Sequence, residues 1–207
     1  MDQPDYIDTG IGTPDRLQRL WAPYRMNYIA KGAQTEKGPG DPFLRVPTMS
    51  DREGLIVVRA EHSYVVLNLY PYNPGHLLVV PFRKVANLED LSFEESTEIM
   101  KLAQESIRVI KHVSQPHAFN VGFNLGKPSG GSVGDHLHMH IVPRWSGDAN
   151  FMTVIDGVKV LPQKLQDTRE LLAQGWIDLG VEIGTVRIGA AADELPENQG
   201  ENFNAQH

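Results

Sequence analysis

Gly134-Asp135-His136-Leu137-His138-Met139-His140-Ile141-Val142-Pro143-Arg144-Trp145 places three histidines at alternate positions, and its reading decides the fold. A strand has a side-chain period of two, so alternation sends His136, His138 and His140 to one face and Leu137, Met139 and Ile141 to the core. The run therefore predicts a strand from His136 to Val142 that carries three imidazoles in one patch. Asp135 points to the other face if the strand already runs there. Imidazole titrates near neutrality, so a neutral ring can serve as nucleophile or base while a protonated neighbour pairs with an anion. Two other readings of the triplet are the exposed face of an ordinary strand and a metal site. The sequence nearby supplies no acidic or thiolate ligands at a familiar spacing, so no metal is expected on these residues.

Working outward, a Gly-rich loop, Gly126-Lys-Pro-Ser-Gly-Gly-Ser-Val-Gly134, feeds into the histidine run. Its glycines let backbone N–H groups approach an anion, Ser129 and Ser132 add hydroxyl donors, and Lys127 adds charge. The order G-x-x-x-x-G-K-[ST] is absent, so this is not a P-loop; a plain hairpin loop and a phosphate cradle both fit. The β-branched runs Leu55–Val58 and Tyr64–Leu69 predict an antiparallel pair, and His76–Pro81, after a Pro/Asn/Gly turn, predicts a third strand. Phe119–Asn124 predicts the strand that leads into the loop. Ser92-Phe-Glu-Glu95 is a capping box, and Ile99, Leu102, Ala103, Ile107, Ile110 and Val113 recur on one helical face behind it. A shorter helix is expected over Pro162–Leu172, another enters through Pro14 with Leu17, Leu20, Trp21 and Tyr24 on one face, and Gly32–Pro47 is expected as a loop.

The whole is an α+β pattern in one domain over residues 14–188. Residues 1–13 are polar, and 189–207 are acidic and poor in apolar side chains, so both are expected as disordered tails. Composition narrows the function. The 207 residues with 41% apolar content suffice for one sizeable core, and the absence of cysteine excludes disulfides and thiolate zinc sites and fits a reducing cytoplasm. No apolar run is long enough to span a bilayer, and no basic stretch followed by a hydrophobic one opens the chain. A net charge of −7 argues against duplex nucleic acid as partner. A small anionic substrate remains compatible if the site is locally positive.

His136-Leu-His-Met-His-Ile-Val142 resembles the H-x-H-x-H-x-x signature of the histidine triad family of nucleotidyl hydrolases and transferases. Upstream, Asn68-Leu-Tyr-Pro-Tyr-Asn-Pro-Gly-His76-Leu-Leu-Val-Val-Pro81 is similar to the family's strand-turn-strand segment, in the same order and at the same separation. The similarity runs from about Leu55 to Trp145. Trp21-Ala-Pro-Tyr-Arg-Met26 and Pro143-Arg-Trp145-Ser-Gly-Asp148-Ala-Asn150-Phe-Met152 further resemble a bacterial branch, the diadenosine tetraphosphate phosphorylases.

The resemblance implies a five-stranded antiparallel sheet with packed helices and a homodimer or homotetramer. It implies a nucleotide substrate cleaved with inorganic phosphate as acceptor, and no tightly bound cofactor, magnesium entering only with the substrate phosphates. By position, His138 matches the nucleophile that takes up a nucleotidyl group, and His136 and His140 match the flanking rings that orient it, contact phosphate oxygens and protonate the leaving group. His76 matches a fourth histidine behind the triad; its other reading is a capped turn residue. Asn68, read as lying mid-strand where asparagine is disfavoured, matches a ribose contact. Asn124, Gly131 and Ser132 match polyphosphate contacts. Eukaryotic hydrolases of the family carry glutamine in place of Asn124 and Ser132, and smaller side chains leave room for an acceptor larger than water. Trp145 either stacks on an adenine or fills a contact between subunits. Cleavage by water, which would make the chain a dinucleoside polyphosphate or nucleoside phosphoramidate hydrolase, is the alternative outcome. Nucleotide binding without turnover is a further one.

Overall fold

β-branched and leucine-rich runs that leave no residue exposed must be covered on both faces, and this is how the centre of the sheet is built. In the computed structural model, which describes residues 40–126, 129, 133–148, 163–181 and 187–188, strand β2 (Ser63–Leu67) and strand β3 (Leu77–Pro81) are buried along their whole length. They pair antiparallel from Ser63 opposite Pro81 to Leu67 opposite Leu77. Strand β1 (Ile56–Arg59) joins β2, and β3 takes β5 (Met139–Arg144) on its other edge, with β4 (Ala118–Phe123) beyond. A two-residue strand β6 (Arg187–Ile188) adds to β1, which gives the order β4-β5-β3-β2-β1-β6 with every pairing antiparallel. The expected five strands are thus present, with a short sixth at one edge.

The helices seal one side of this sheet. Helix α2 (Phe93–Ser114) opens on the predicted capping box: Glu95 N–H donates to Ser92 Oγ at 3.1 Å and Ser92 N–H to Glu95 Oε2 at 2.8 Å. Its stripe of Ile99, Leu102, Ala103, Val109 and Ile110 is buried. Helix α3 (Leu165–Asp178) begins later and runs six residues further than expected, because Leu172, Ala173 and the fully buried Trp176 continue its apolar face past Leu172. Arg169 Nε donates to the Ile56 carbonyl at 2.8 Å and ties α3 to β1.

Two further expectations are corrected. Within Gly32–Pro47, the Gly/Pro-rich composition hides a one-turn helix α1 (Pro42–Arg45) followed by a 3-10 turn (Val46–Thr48). Asp41 caps α1 by accepting from Phe43 N–H at 2.9 Å, and Pro42 takes the first helical position, where its missing N–H costs nothing. The histidine strand begins at Met139, three residues later than expected, and extends to Arg144. His136 to His138 precede it as irregular chain, held where Leu137 N–H donates to the Val85 carbonyl at 2.6 Å. The helix expected from Pro14, the two tails, and Lys127, Gly131 and Ser132 lie outside the described residues. Among the described residues no helix is long and apolar enough to cross a membrane.

Helices α2 and α3 touch at Gly175, where a Cβ would come 2.5 Å from Val113 Cγ1 and 3.2 Å from Val109 Cγ1. Gly175→Ala should therefore destabilise the protein. A helix-propensity gain of about 1 kcal/mol is outweighed by overpacking of about 1–3 kcal/mol. Thermal melting should show a midpoint lowered by about 2–6 °C, and Val113→Ala in the same chain should recover part of it; a higher midpoint for the single variant would contradict this packing.

Candidate active site

The β3–β5 pairing sets Leu78 opposite His140 and so brings the two histidine-bearing segments together. His76 stands one residue before β3, and its Nε2 lies 3.0 Å from Nδ1 of His140. The centroids of His138 and His140 are 4.8 Å apart, and those of His76 and His140 5.2 Å. His76, His136 and His138 are buried, which removes the reading of an exposed polar strand face.

Hydrogen-bond partners decide where each proton sits. Nδ1 of His76 is approached by Tyr72 N–H at 3.1 Å, a group that can only donate, so this ring carries its proton on Nε2 and donates it to Nδ1 of His140. His140 must then carry its own proton on Nε2. Nδ2 of Asn124 stands 3.1 Å from that nitrogen, and a half-turn of the amide brings Oδ1 to accept from it. In His138, Nδ1 lies 2.9 Å from the main-chain carbonyl of His136 and donates to it, which leaves the Nε2 lone pair available. Burial, followed by the neighbouring rings of His140 and His138, lowers His76 to about 3. His138 is also lowered, burial again leading. A neutral ring with one uncommitted lone pair is what nucleophilic attack requires.

His136 differs from the other rings. Nδ1 faces Asp41 Oδ2 at 2.9 Å and Nε2 faces the Pro81 carbonyl at 2.9 Å, so both nitrogens are engaged within the protein. Of the roles expected for it, orientation of its neighbour is the one this geometry accommodates. Asn68 is not mid-strand but one residue beyond β2, its N–H bonded to the His76 carbonyl. Its Nδ2 reaches His76 Nδ1 at 3.3 Å and its Oδ1 accepts from Tyr70 N–H at 3.0 Å, so its amide braces the fourth histidine. Trp145 lies just past the end of β5 opposite to His138, and within one chain it is not brought to the histidines.

Sequence reasoning missed several residues around the rings. Phe43 packs on His138 at 4.8 Å and on His136 at 5.5 Å between centroids, and Tyr72 stacks on His140 at 5.9 Å. Asn73 ties the loop after β2 to β5 by donating to the Pro143 carbonyl at 2.9 Å and to Asp148 Oδ2 at 2.7 Å. Tyr72, Asn73 and Asp148 lie inside the recognised segments, but only their contacts show what they do. For Asp41, the one visible signal was an Asp-Pro pair fit to cap a helix. Among the described residues, no group of three His, Asp or Glu side chains is arranged to hold a metal ion.

The HIT domain family profile matches residues 50–147. A protein named AP-4-A phosphorylase from Mycobacterium tuberculosis is 58% identical over 175 residues, covering 82% of this chain and 90% of its own. The chain belongs to the histidine triad family. Bis(5'-adenosyl)-triphosphatase from Saccharomyces cerevisiae is 40% identical over 91 residues, 44% of each chain. The fold is shared with a solved zinc-bound histidine triad protein from Mycobacterium smegmatis: TM-score 0.52 and 23% identity over 61% of this chain and 86% of that one.

In this histidine triad protein the buried His76 gives stability a pH dependence of definite sign. Below about pH 6.5 the unfolded chain takes up a proton at His76, whereas the folded ring stays neutral down to about 3. The unfolded state thus binds more protons, and stability falls as the pH falls through that window. Urea unfolding should show a loss of about 2 kcal/mol from His76 between about pH 7.5 and pH 5, and His76→Gln should have a correspondingly shallower decline. Parallel pH profiles for the two proteins would contradict a neutral buried His76.

Proposed function

We propose that this enzyme cleaves diadenosine tetraphosphate by phosphorolysis, giving ADP and ATP through a nucleotidyl-histidine intermediate on His138. The observation that carries the reading is the free Nε2 lone pair of His138, with Nδ1–H committed to the His136 carbonyl. The 58% identity to a protein named AP-4-A phosphorylase over most of both chains supports the substrate and the acceptor.

Nε2 attacks the α-phosphorus of one adenosine, the P–O bond to the remaining triphosphate breaks, and ATP leaves with that oxygen. The positive charge that develops on the adenylylated ring is held by the Nδ1–H bond to the His136 carbonyl. An oxygen of inorganic phosphate then attacks the same phosphorus, the N–P bond breaks, ADP forms and the electron pair returns to Nε2. Two in-line displacements replace one difficult step, and what they need most is positioning and charge stabilisation. His140, with Nε2–H toward the Asn124 side chain, is placed to meet the phosphoryl oxygens or the leaving oxygen. Lys127, Gly131 and Ser132 are assigned by their place in the loop to the polyphosphate and the acceptor phosphate. Asn68 is assigned to the ribose, a contact that its bond to His76 would orient. Magnesium enters with the substrate as counter-ion to its phosphates. The far-end location of Trp145 favours its reading as a contact between subunits of a homodimer or homotetramer, and the reducing composition suits the cytoplasm.

Hydrolysis is the competing outcome, and products separate the two. Purified enzyme given diadenosine tetraphosphate should turn over only with phosphate and yield ADP and ATP in equal amounts; AMP made at one rate with or without phosphate would replace phosphorolysis by hydrolysis. His138→Ala should abolish turnover while nucleotide binding stays within about tenfold; a tenth of the wild-type rate in this variant would remove His138 as the nucleophile. Ser132→Gln should slow phosphorolysis and let water compete, which reads as AMP among the products.

A further inference from the structure

The segment around α1 precedes residues 50–147, the stretch matched by the family profile, yet it touches two of the three triad rings. It is firmly seated. The Tyr64 hydroxyl donates to the Phe43 carbonyl at 2.9 Å, and the Arg59 guanidinium donates to Asp51 Oδ1 at 2.6 Å, the Pro47 carbonyl at 2.9 Å and the Met49 carbonyl at 3.0 Å. Asp41 is thereby brought to His136 across 95 positions of sequence.

Around this pair every donor and acceptor can be assigned. Asp41 Oδ1 accepts from Phe43 N–H, while Oδ2 faces His136 Nδ1 at 2.9 Å and the Lys84 ammonium at 3.7 Å. Besides His136, a main-chain N–H donates to this carboxyl and an ammonium group lies beside it, so its oxygens are placed to accept. The other nitrogen of His136 faces the Pro81 carbonyl at 2.9 Å, which can only accept. A histidine whose two nitrogens both meet acceptors must donate from both. The carbonyl of this same residue receives Nδ1–H of His138.

We propose that Asp41 is a positioning residue for the nucleophile. It holds the His136 ring doubly protonated and immobile, and through His136 it fixes the carbonyl that aims His138, while Phe43 packs against both rings. Asp41 itself need not touch substrate. The proposal rests on the reading of His138 as nucleophile, and its test has one arm that does not depend on catalysis.

That arm is nitrogen NMR of the full-length chain with labelled histidine at near-neutral pH, His136 being assigned by its loss in His136→Gln. Both His136 ring nitrogens should carry protons in the wild type, and Nδ1 should lose its proton in Asp41→Asn, whose amide still caps α1. An unprotonated nitrogen on wild-type His136 overturns the proposal, whether or not the variant folds. The second arm is turnover of diadenosine tetraphosphate with phosphate. Asp41→Asn should lower kcat about ten- to a hundredfold with KM within about threefold, the size expected for a misaimed nucleophile, and Asp41→Glu should recover part of the loss. A kcat within twofold of wild type in folded Asp41→Asn overturns the proposal. An enzyme that does not turn over this substrate at all refutes the phosphorolysis reading instead, and the His136 spectrum still decides the Asp41 pair.

Discussion

Strand β3 is hydrogen-bonded along both edges and buried from Leu77 to Pro81, and the positions of the remaining parts follow from that constraint. Its pairing with β2 brings Asn68 and the loop to Tyr72 over His76. Its pairing with β5 brings His140 alongside. Its final carbonyl, that of Pro81, lies just past the β5 register and receives His136 Nε2. A backbone that must satisfy every buried N–H and C=O leaves little freedom in this register, so the histidines are placed by the sheet and not by their own mutual attraction. Rings of the same kind 5 Å apart would repel if each took a proton; burial resolves this by holding His76 and His138 neutral.

Three of the four imidazoles in the cluster, those of His76, His136 and His138, meet a main-chain group that has no choice of role. Main-chain N–H of Tyr72 forces His76 to accept on Nδ1, and main-chain carbonyls of His136 and Pro81 force His138 and His136 to donate. Side chains complete the arrangement at its two ends, Asn124 beside His140 and Asp41 beside His136. The result is a set of chemically identical residues with different hydrogen-bonding states: His76 bonded to His140, an available lone pair in His138, and His136 bonded to the Pro81 carbonyl. Preorganisation of this kind lowers the cost of aligning nucleophile and phosphorus at the moment of reaction.

The loop that carries His76 is closed from the far side of the sheet edge. Arg144, at the end of β5, donates to Asp148 at 2.6 Å and 3.0 Å, and Asp148 accepts from Asn73 at 2.7 Å. The Asp148 carboxyl is held well below the usual carboxylate range, first by Arg144 and then by Asn73. The network is mostly exposed on its arginine side, so its worth lies in fixing the turn after β5 against the buried Asn73 more than in the ion pair itself.

Periodicity and local chemistry made much of this legible from sequence. The β-branched runs named β1 to β3 and the capping box of α2 depend on neighbours a few residues away, and such short-range patterns survive in a linear reading, whereas the place of His76 beside the alternate histidines came only from the family resemblance. The histidine family motif likewise announced the chemistry and, through its resemblance, the fold. Tertiary structure alone decided which partner each histidine meets. Alternation suggested a single strand face with three rings in one patch, but the chain leaves strand geometry before Met139, where Leu137 bonds to Val85 and His136 to Pro81, partners supplied by the distant end of β3 and the chain just after it. Asp41 and Phe43 sat in a stretch whose glycines and prolines read as loop. Their contact with His136 and His138 exists only once Arg59 and Tyr64 have pinned that stretch to the sheet, since contacts closed across nearly a hundred residues leave no local pattern to read.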